Sequence, residues 1–322
     1  MPVGRREVRV ALSREEQSQR LDQILAAHVS GWSRTRLQAV IRAGHARLDG
    51  RVVTKPGFVP LDARELVVEL TEAAPPESRS AWAEPRVLHS DEHLLVVDKP
   101  AGVLTHANSG RAEPSLSSWA NERFGPLPEG SDAGRPGIVH RLDRETSGVI
   151  LLARTSAALT ELKRQFKSRE VEKTYAAIVH GEPRFDSDWI ERALGRKEGS
   201  AHVRLVPDGE GRAASTYYEV RERFGIAARL AVFPKTGRRH QVRVHLASIE
   251  LPIVGESVYL PKRRTLKALP SDAPVMRRQA LHAERLEFTH PVSGERVRYE
   301  APWPADMLVL LEWLRAHAPA GS

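Results

Sequence analysis

The chain has 322 residues, 41% of them hydrophobic, which is room for about two domains with buried cores. It contains no cysteine, which excludes disulfide scaffolds, thiolate metal sites and thiol nucleophiles. Lysine and arginine exceed the acids by 49 to 41, a net +8 that favours a polyanionic partner, nucleic acid first, over an acidic small molecule.

The first residues carry Arg5, Arg6 and Arg9 but no apolar core of signal-peptide length, and no apolar run approaches the roughly 18 residues of a membrane span. A cytoplasmic protein with no membrane partner is therefore expected, and a monomer. Leu21, Ile24, Leu25 and Val29 mark one face of a short helix. A second helix is expected to start at Ser33 and stop at Gly44, with Leu37, Val40 and Ile41 inward. Arg34, Gln38 and Arg42 fall at i, i+4 and i+8 on a neighbouring face, a polar ridge beside the core stripe. Ala46 to Leu48 and Arg51 to Val53 flank Asp49-Gly50, a strong hairpin signal, and Glu65 to Leu70 reads as the closing strand. Between Trp32 and Pro60 six basic side chains, Arg36 among them, face the single acid Asp49, so more than half of the net charge sits in this small module.

Two helices, an arginine-lined second helix and a hairpin resemble the small RNA-binding domain named after small-subunit ribosomal protein four, over residues 17–70. That resemblance implies an RNA partner, with Arg34, Arg36, Gln38 and Arg42 as the binding ridge. Residues 71–85, with Pro75, Pro76 and Pro85, read as a linker. A second domain, residues 86–317, opens with strands at Val87-Leu88 and His93 to Val97, then the turn Asp98-Lys-Pro-Ala-Gly102. Leu116, Trp119, Ala120 and Phe124 have helical spacing, so these aromatics read as core.

Everything else is arranged around His140-Arg-Leu-Asp-Arg-Glu-Thr-Ser-Gly148. This charged island lies between Ile138-Val139 and Val149 to Ala153, two apolar runs that read as buried strands, the way a scaffold presents a reactive group. The segment resembles the His-Arg-Leu-Asp-x-x-Thr-Ser-Gly signature of the RluA-type pseudouridine synthases at every specified position. The resemblance implies that Asp143 is catalytic and that the fold is α+β, a largely antiparallel mixed sheet flanked by helices.

Downstream, Ser156 is expected to cap a helix with Leu159, Leu162 and Phe166 inward and Lys163, Arg164, Lys167 and Arg169 outward, a face that either tracks RNA or is simply solvated. Glu172 to Val179 alternates as a strand around Tyr175, which by itself reads as core; Lys-x-Tyr matches the family segment whose tyrosine packs against the target base. Residues 184–210 are polar and irregular and receive no assignment. Thr216 to Val220 and Ala228 to Val232 read as strands. Lys235 to Leu246 fits helix and strand periodicity equally, and resemblance to the family's Gly-Arg-Thr-His-Gln-x-Arg-Val-His segment favours helix. That match implies Arg243 as the partner of Asp143 and shows one departure, Arg239 in place of threonine or serine. His240 and His245 do not face one ion in either structure, so no metal is expected. Pro252 to Tyr259 resembles the family's Pro-x-x-Gly-Asp-x-x-Tyr with Glu256 for aspartate, residues 281–288 and 296–299 read as a final hairpin, and Ala305 to His317 as an amphipathic helix.

Pseudouridine formation detaches uracil from ribose and rejoins it through carbon 5, a balanced isomerisation that needs no cofactor. It needs one ionised carboxylate, Asp143; a cation near it, Arg243; and an aromatic face for the loose base, Tyr175. Arg141 is the candidate to fill the space the flipped base leaves. Ribosomal RNA of the large subunit is the expected substrate, with transfer RNA as the alternative and a non-catalytic RNA-binding assembly factor as the alternative from another class.

Overall fold

The computed structural model describes all residues except 1–4, 30–33, 43, 72–82, 108–113, 131–134, 197–201, 208, 261–268 and 320–322. The chain divides into two compact units, Met1–Ala81 with Asn108–Glu113, and Trp82–Ala107 with Pro114–Ser322.

The first unit runs β1 (Arg5–Ala11), α1 (Leu21–His28), α2 (Arg34–Arg42), β2 (Ala46–Leu48), β3 (Arg51–Val53) and β4 (Glu65–Thr71), with an antiparallel sheet in the order β1-β4-β2-β3. Asp49 and Gly50 both have positive φ, as a two-residue hairpin turn with the strands' own twist requires. Leu21, Ile24 and Leu25 of α1 and Leu37 and Ile41 of α2 are fully buried against Leu66 and Val68 of β4. β1 was not expected: its alternation is only Val8 and Val10 among arginines, and what makes it a strand is the ladder to β4, Val8 opposite Val68 and Val10 opposite Leu66. The expected start of α2 at Ser33 and most of the expected linker lie outside the described residues; Thr71 ends β4.

The second unit runs β5 (Arg86–Ser90), β6 (Leu94–Lys99), α3 (Leu116–Phe124), β7 (Ser147–Ala153), α4 (Ser156–Ser168), β8 (Glu172–His180), β9 (Ser187–Glu191), β10 (Leu194–Arg196), β11 (Val203–Leu205), β12 (Ser215–Arg223), β13 (Ala227–Pro234), α5 (Gln241–Ser248), β14 (Leu281–Thr289), β15 (Arg296–Glu300) and α6 (Ala305–Ala316). Nine of these strands form one sheet in the order β5-β6-β7-β14-β8-β13-β12-β9, with β15 on β14. All its pairings are antiparallel except β7 with β14, so the architecture is the α+β mixed sheet expected.

β7 is buried on both faces. Val149, Leu151 and Ala153 pack with Ala158, Leu159 and Leu162 of α4, while Ile150 and Leu152 pack with Leu116 and Ala120 of α3, as alternation along a strand dictates. Its first turn explains the glycine of the signature: Gly148 has φ +113, and a Cβ there would lie 2.1 Å from the Ala283 carbonyl oxygen of β14.

Three local expectations need correction. Ile138-Val139 is not a strand; it makes one isolated bridge, Ile138 to Leu152, because the next residue, His140, meets β7 through its ring, Nε2 accepting the Leu151 N–H at 2.9 Å. The cap of α4 is Thr155, whose hydroxyl accepts from Ala158 N, and Ser156 is already helical. The unassigned stretch 184–210 holds β9, which joins the main sheet beside β12, and the separate β10-β11 pair. Such short strands carry too few residues for periodicity to register.

Candidate active site

Asp143 sits on the loop entering β7, and that loop is tied down on every side through its backbone. Thr105 Oγ1 donates to Leu142 O and accepts from Leu142 N, at 2.9 and 3.1 Å. Lys99, fully buried at the end of β6, donates to the carbonyls of Pro100, Val103 and Arg144. Three carbonyl acceptors suit the three N–H groups of an ammonium, while burial drags the pKa down to about 7 against the nearby charges of Glu145 and Asp143. Arg278 Nη1 donates to Glu145 O. With main-chain groups of residues 142, 144 and 145 engaged, the Asp143 side chain is left to face a cavity of about 470 Å³.

Arg243 reaches the same cavity from α5, where the ambiguous segment resolves as a helix. Its Nη1 donates to Asp143 Oδ2 at 3.1 Å, across 100 residues of chain. The other edge of the guanidinium is held by Glu256, with Nε to Oε2 at 2.7 Å and Nη2 to Oε1 at 2.8 Å. Glu256 Oε1 also accepts from the backbone N–H of Val258 and Tyr259. Burial alone would lower the guanidinium's pKa; the two carboxylates outweigh it and raise it, and Arg243 in turn holds Glu256 below the usual carboxylate range despite its burial.

His240 precedes α5 in the left-handed region, φ 53 and ψ 18. Its Nε2 stands 3.7 Å from Asp143 Oδ1 and its Nδ1 2.5 Å from Tyr259 Oη, which also accepts the Val203 N–H. Burial lowers its pKa to about 4, helped by Arg243, Arg239 and Arg141 and opposed by Asp143. His245 instead points into the fold, to Thr216 Oγ1 and Arg192 O. Among the described residues no cluster of His, Asp or Glu could hold a metal ion.

Tyr175 lies mid-sheet on β8, opposite Val232 of β13 and Ala283 of β14, and lines the cavity with Asp143. Burial, then the charge of Asp143, push its phenol upward, so it stays protonated. Arg141 is exposed at the mouth. The basic face of α4 divides: Arg164 is paired with Glu161 and Glu170, whereas Lys167 and Arg169 line the cavity beside Lys173, whose pKa burial and the neighbouring cations lower to about 8.

Asp143, Tyr175, Arg243 and Arg141 therefore share one cavity. The ridge residues Arg34, Arg36, Gln38 and Arg42 belong to α2 in the first unit. The side chains of Arg34 and Arg36 lie outside the described residues; Arg42 is exposed, and Gln38 donates to the buried Asp22 at 2.6 Å. Reading the sequence missed Glu256, His240, Tyr259 and Lys99 as parts of the site. The only signal was their membership of motif segments, since each acts through a contact that spacing does not encode.

A family profile described as RNA pseudouridylate synthase matches residues 93–248, and one for the S4 domain matches residues 19–60. The chain is 38% identical to the ribosomal large subunit pseudouridine synthase D of Xanthomonas campestris, over 92% of this chain and 89% of that protein. It is 36% identical to the protein of the same name from Pseudomonas aeruginosa, over 92% of each. The solved structure of human RNA pseudouridylate synthase domain containing 4 superposes with a TM-score of 0.56 at 24% identity, over 71% of this chain and 93% of that one, a likeness of fold. Among the described residues no helix is long and apolar enough to cross a membrane.

Proposed function

The chain belongs to the RNA pseudouridylate synthase family, and from that premise we propose that it isomerises specific uridines of large-subunit ribosomal RNA, with Asp143 as the catalytic carboxylate. The ribosomal assignment rests on the names of the relatives and on the S4 match, since a dedicated RNA-binding module suits a large structured substrate.

In the reaction the bond from ribose C1′ to uracil N1 breaks, the base turns, C1′ bonds to C5, the C5 proton leaves and N1 gains one. Asp143 serves as nucleophile or base, and either role needs it ionised. The observation that carries the reading is its 3.1 Å contact with Arg243 inside a cavity also lined by Tyr175. A guanidinium at that distance favours the carboxylate over the acid.

Extruding a paired uridine costs a few kcal/mol. Stacking on an aromatic ring returns about 1 to 3 kcal/mol per base, and Tyr175 offers that face to the detached uracil. Its protonated hydroxyl, without a hydrogen-bond partner among the described residues, is available to donate to the detached base, and the C5 proton leaves to solvent. Arg141 takes the place of the extruded base in the RNA stack.

The test is to map pseudouridines in the RNA of cells lacking the gene, complemented with wild type or with Asp143→Asn, alongside tritium release from C5-labelled uridine in vitro. The expected result is loss of sites in large-subunit ribosomal RNA that wild type restores and Asp143→Asn does not, with RNA affinity retained. Product formed by Asp143→Asn would refute the catalytic assignment, and sites lost only from transfer RNA would refute the substrate.

A further inference from the structure

Beside the cavity that holds Asp143 lies a second crevice of about 760 Å³, and the two share Arg141, Gly237, Arg238 and Arg239 as lining residues. Its far wall is the β10-β11 pair with the segment that follows, which adds Arg196 and Arg212. Among the described residues of the lining, five guanidiniums thus stand with a single acid, Glu210.

Two features separate this wall from an ordinary solvated basic surface. It is built: Leu194, Val203 and Ala214 pack on Val244 of α5 with Leu205 and Tyr259, next to Arg243 in sequence. Arg212 is fixed by backbone hydrogen bonds in both directions with Leu194, and a Cβ on Gly211 would lie 2.7 Å from the Leu194 carbonyl oxygen. Its cations are also left over. Arg164, Arg223, Arg296 and Arg315 elsewhere on the unit are each paired with a carboxylate, whereas among the described residues none of Arg141, Arg196, Arg212, Arg238 and Arg239 lies within ion-pair distance of one. Arg238 donates to Ala213 O, and Arg239 Nε is 3.4 Å from His240 Nε2.

Unpaired guanidiniums in a concave site call for an anion, and the planar fork suits phosphate. Among the described residues no aromatic ring lines the crevice, which argues against stacked bases, and Gly209 and Gly237, where a Cβ would meet nothing within 4 Å, let a ligand approach the main chain. We propose that this crevice is a subsite for the phosphodiester linkages that flank the target uridine, gripping the strand while the uridine occupies the adjoining cavity. The proposal rests on the reading that the cavity of Asp143 is where the uridine reacts. Arg239, which stands where the family pattern has threonine or serine, then adds a third guanidinium to the wall that the two sites share.

The test uses the full-length protein and a short synthetic RNA spanning a mapped target uridine. Replacing Arg196 and Arg212 together by alanine, both exposed, should raise the KM about tenfold or more at moderate salt and reduce the slope of log affinity against log salt by about 1.4, at roughly 0.7 per single-strand phosphate. Methylphosphonate linkages beside the uridine should weaken wild type and have little further effect on the double variant. The corresponding double lysine variant should recover most of the affinity. An unchanged slope, a double lysine variant as weak as the alanine one, or a methylphosphonate penalty of equal size in wild type and variant would each overturn the proposal. Asp143→Asn keeps the results apart: it should bind with the wild-type slope and form no product, and product from it would refute the catalytic reading without touching the crevice.

Discussion

At Arg243 one guanidinium serves two carboxylates, and the division of its donors decides what the site can do. Glu256, 1% exposed, takes Nε and Nη2, which leaves Nη1 for Asp143 and fixes the plane in which it is offered. Glu256→Gln keeps the volume but turns an amide N–H₂ toward guanidinium donors, so Arg243 should rotate away. A misplacement of about 1 Å at a reacting group can cost 10²-fold, and a fall in kcat of that order is expected, with RNA affinity changed less than threefold. Single-turnover kinetics and equilibrium binding read the two quantities; wild-type kcat in Glu256→Gln would show that Arg243 is held some other way. Asp143 and Arg243 were legible as a pair through motif resemblance alone. Glu256 was visible only as a substitution in a motif, because nothing in a spacing of 13 residues says that a helix and a loop converge.

At the scale of elements, β7 carries the site and is flanked by two neutral imidazoles. His140 accepts from Leu151 N and stacks on Phe166, and His282 Nδ1 faces Ser147 Oγ at 2.9 Å with its Nε2 toward Ala301 O. Burial lowers their pKa values to about 3 and about 4. Histidine in the unfolded chain titrates near 6.5, so below that pH the unfolded state binds protons that the native state does not. The stabilisation is fully present above about pH 6.5 and is lost as the pH falls toward 4, by about 2 kcal/mol per histidine between pH 6.5 and 5. Urea denaturation at pH 7.5 and pH 5 measures it. His140→Gln, whose carbonyl can still accept from Leu151 N, should lose about 2 kcal/mol less over that interval than wild type, and equal losses would refute this account. β7 itself was legible as an apolar run. The imidazole-for-backbone exchange before it was not, because a charged-looking motif residue gives no sign that its ring will finish a ladder.

For the whole molecule, basic side chains gather at two places: the module around α2, with a net +5 between Trp32 and Pro60, and the second unit's own cavity and crevice. RNA affinity should therefore fall steeply with salt. Replacing Arg34, Arg36 and Arg42 together by glutamine should lower the salt slope by about 2 to 3, at roughly 0.7 to 0.9 per phosphate contact. A titration of large-subunit ribosomal RNA binding checks this, and a slope identical to wild type would remove α2 from the RNA interface.

By itself the sequence determined whatever is settled within a few residues: the Asp49-Gly50 turn, the apolar stripes of α1 and α2, the apolar run of β7 with the polar loop and glycine before it, and the sign of the charge. These follow from local dihedral preferences, short periodicities and composition. Tertiary structure alone decided that β7 pairs in parallel with β14, that Glu256 holds Arg243 in place beside Asp143, and that a short irregular stretch becomes an arginine-lined wall on α5. Strand register and ion pairing depend on which backbone edges and side chains leave water together, and separation along a chain carries no information about that distance.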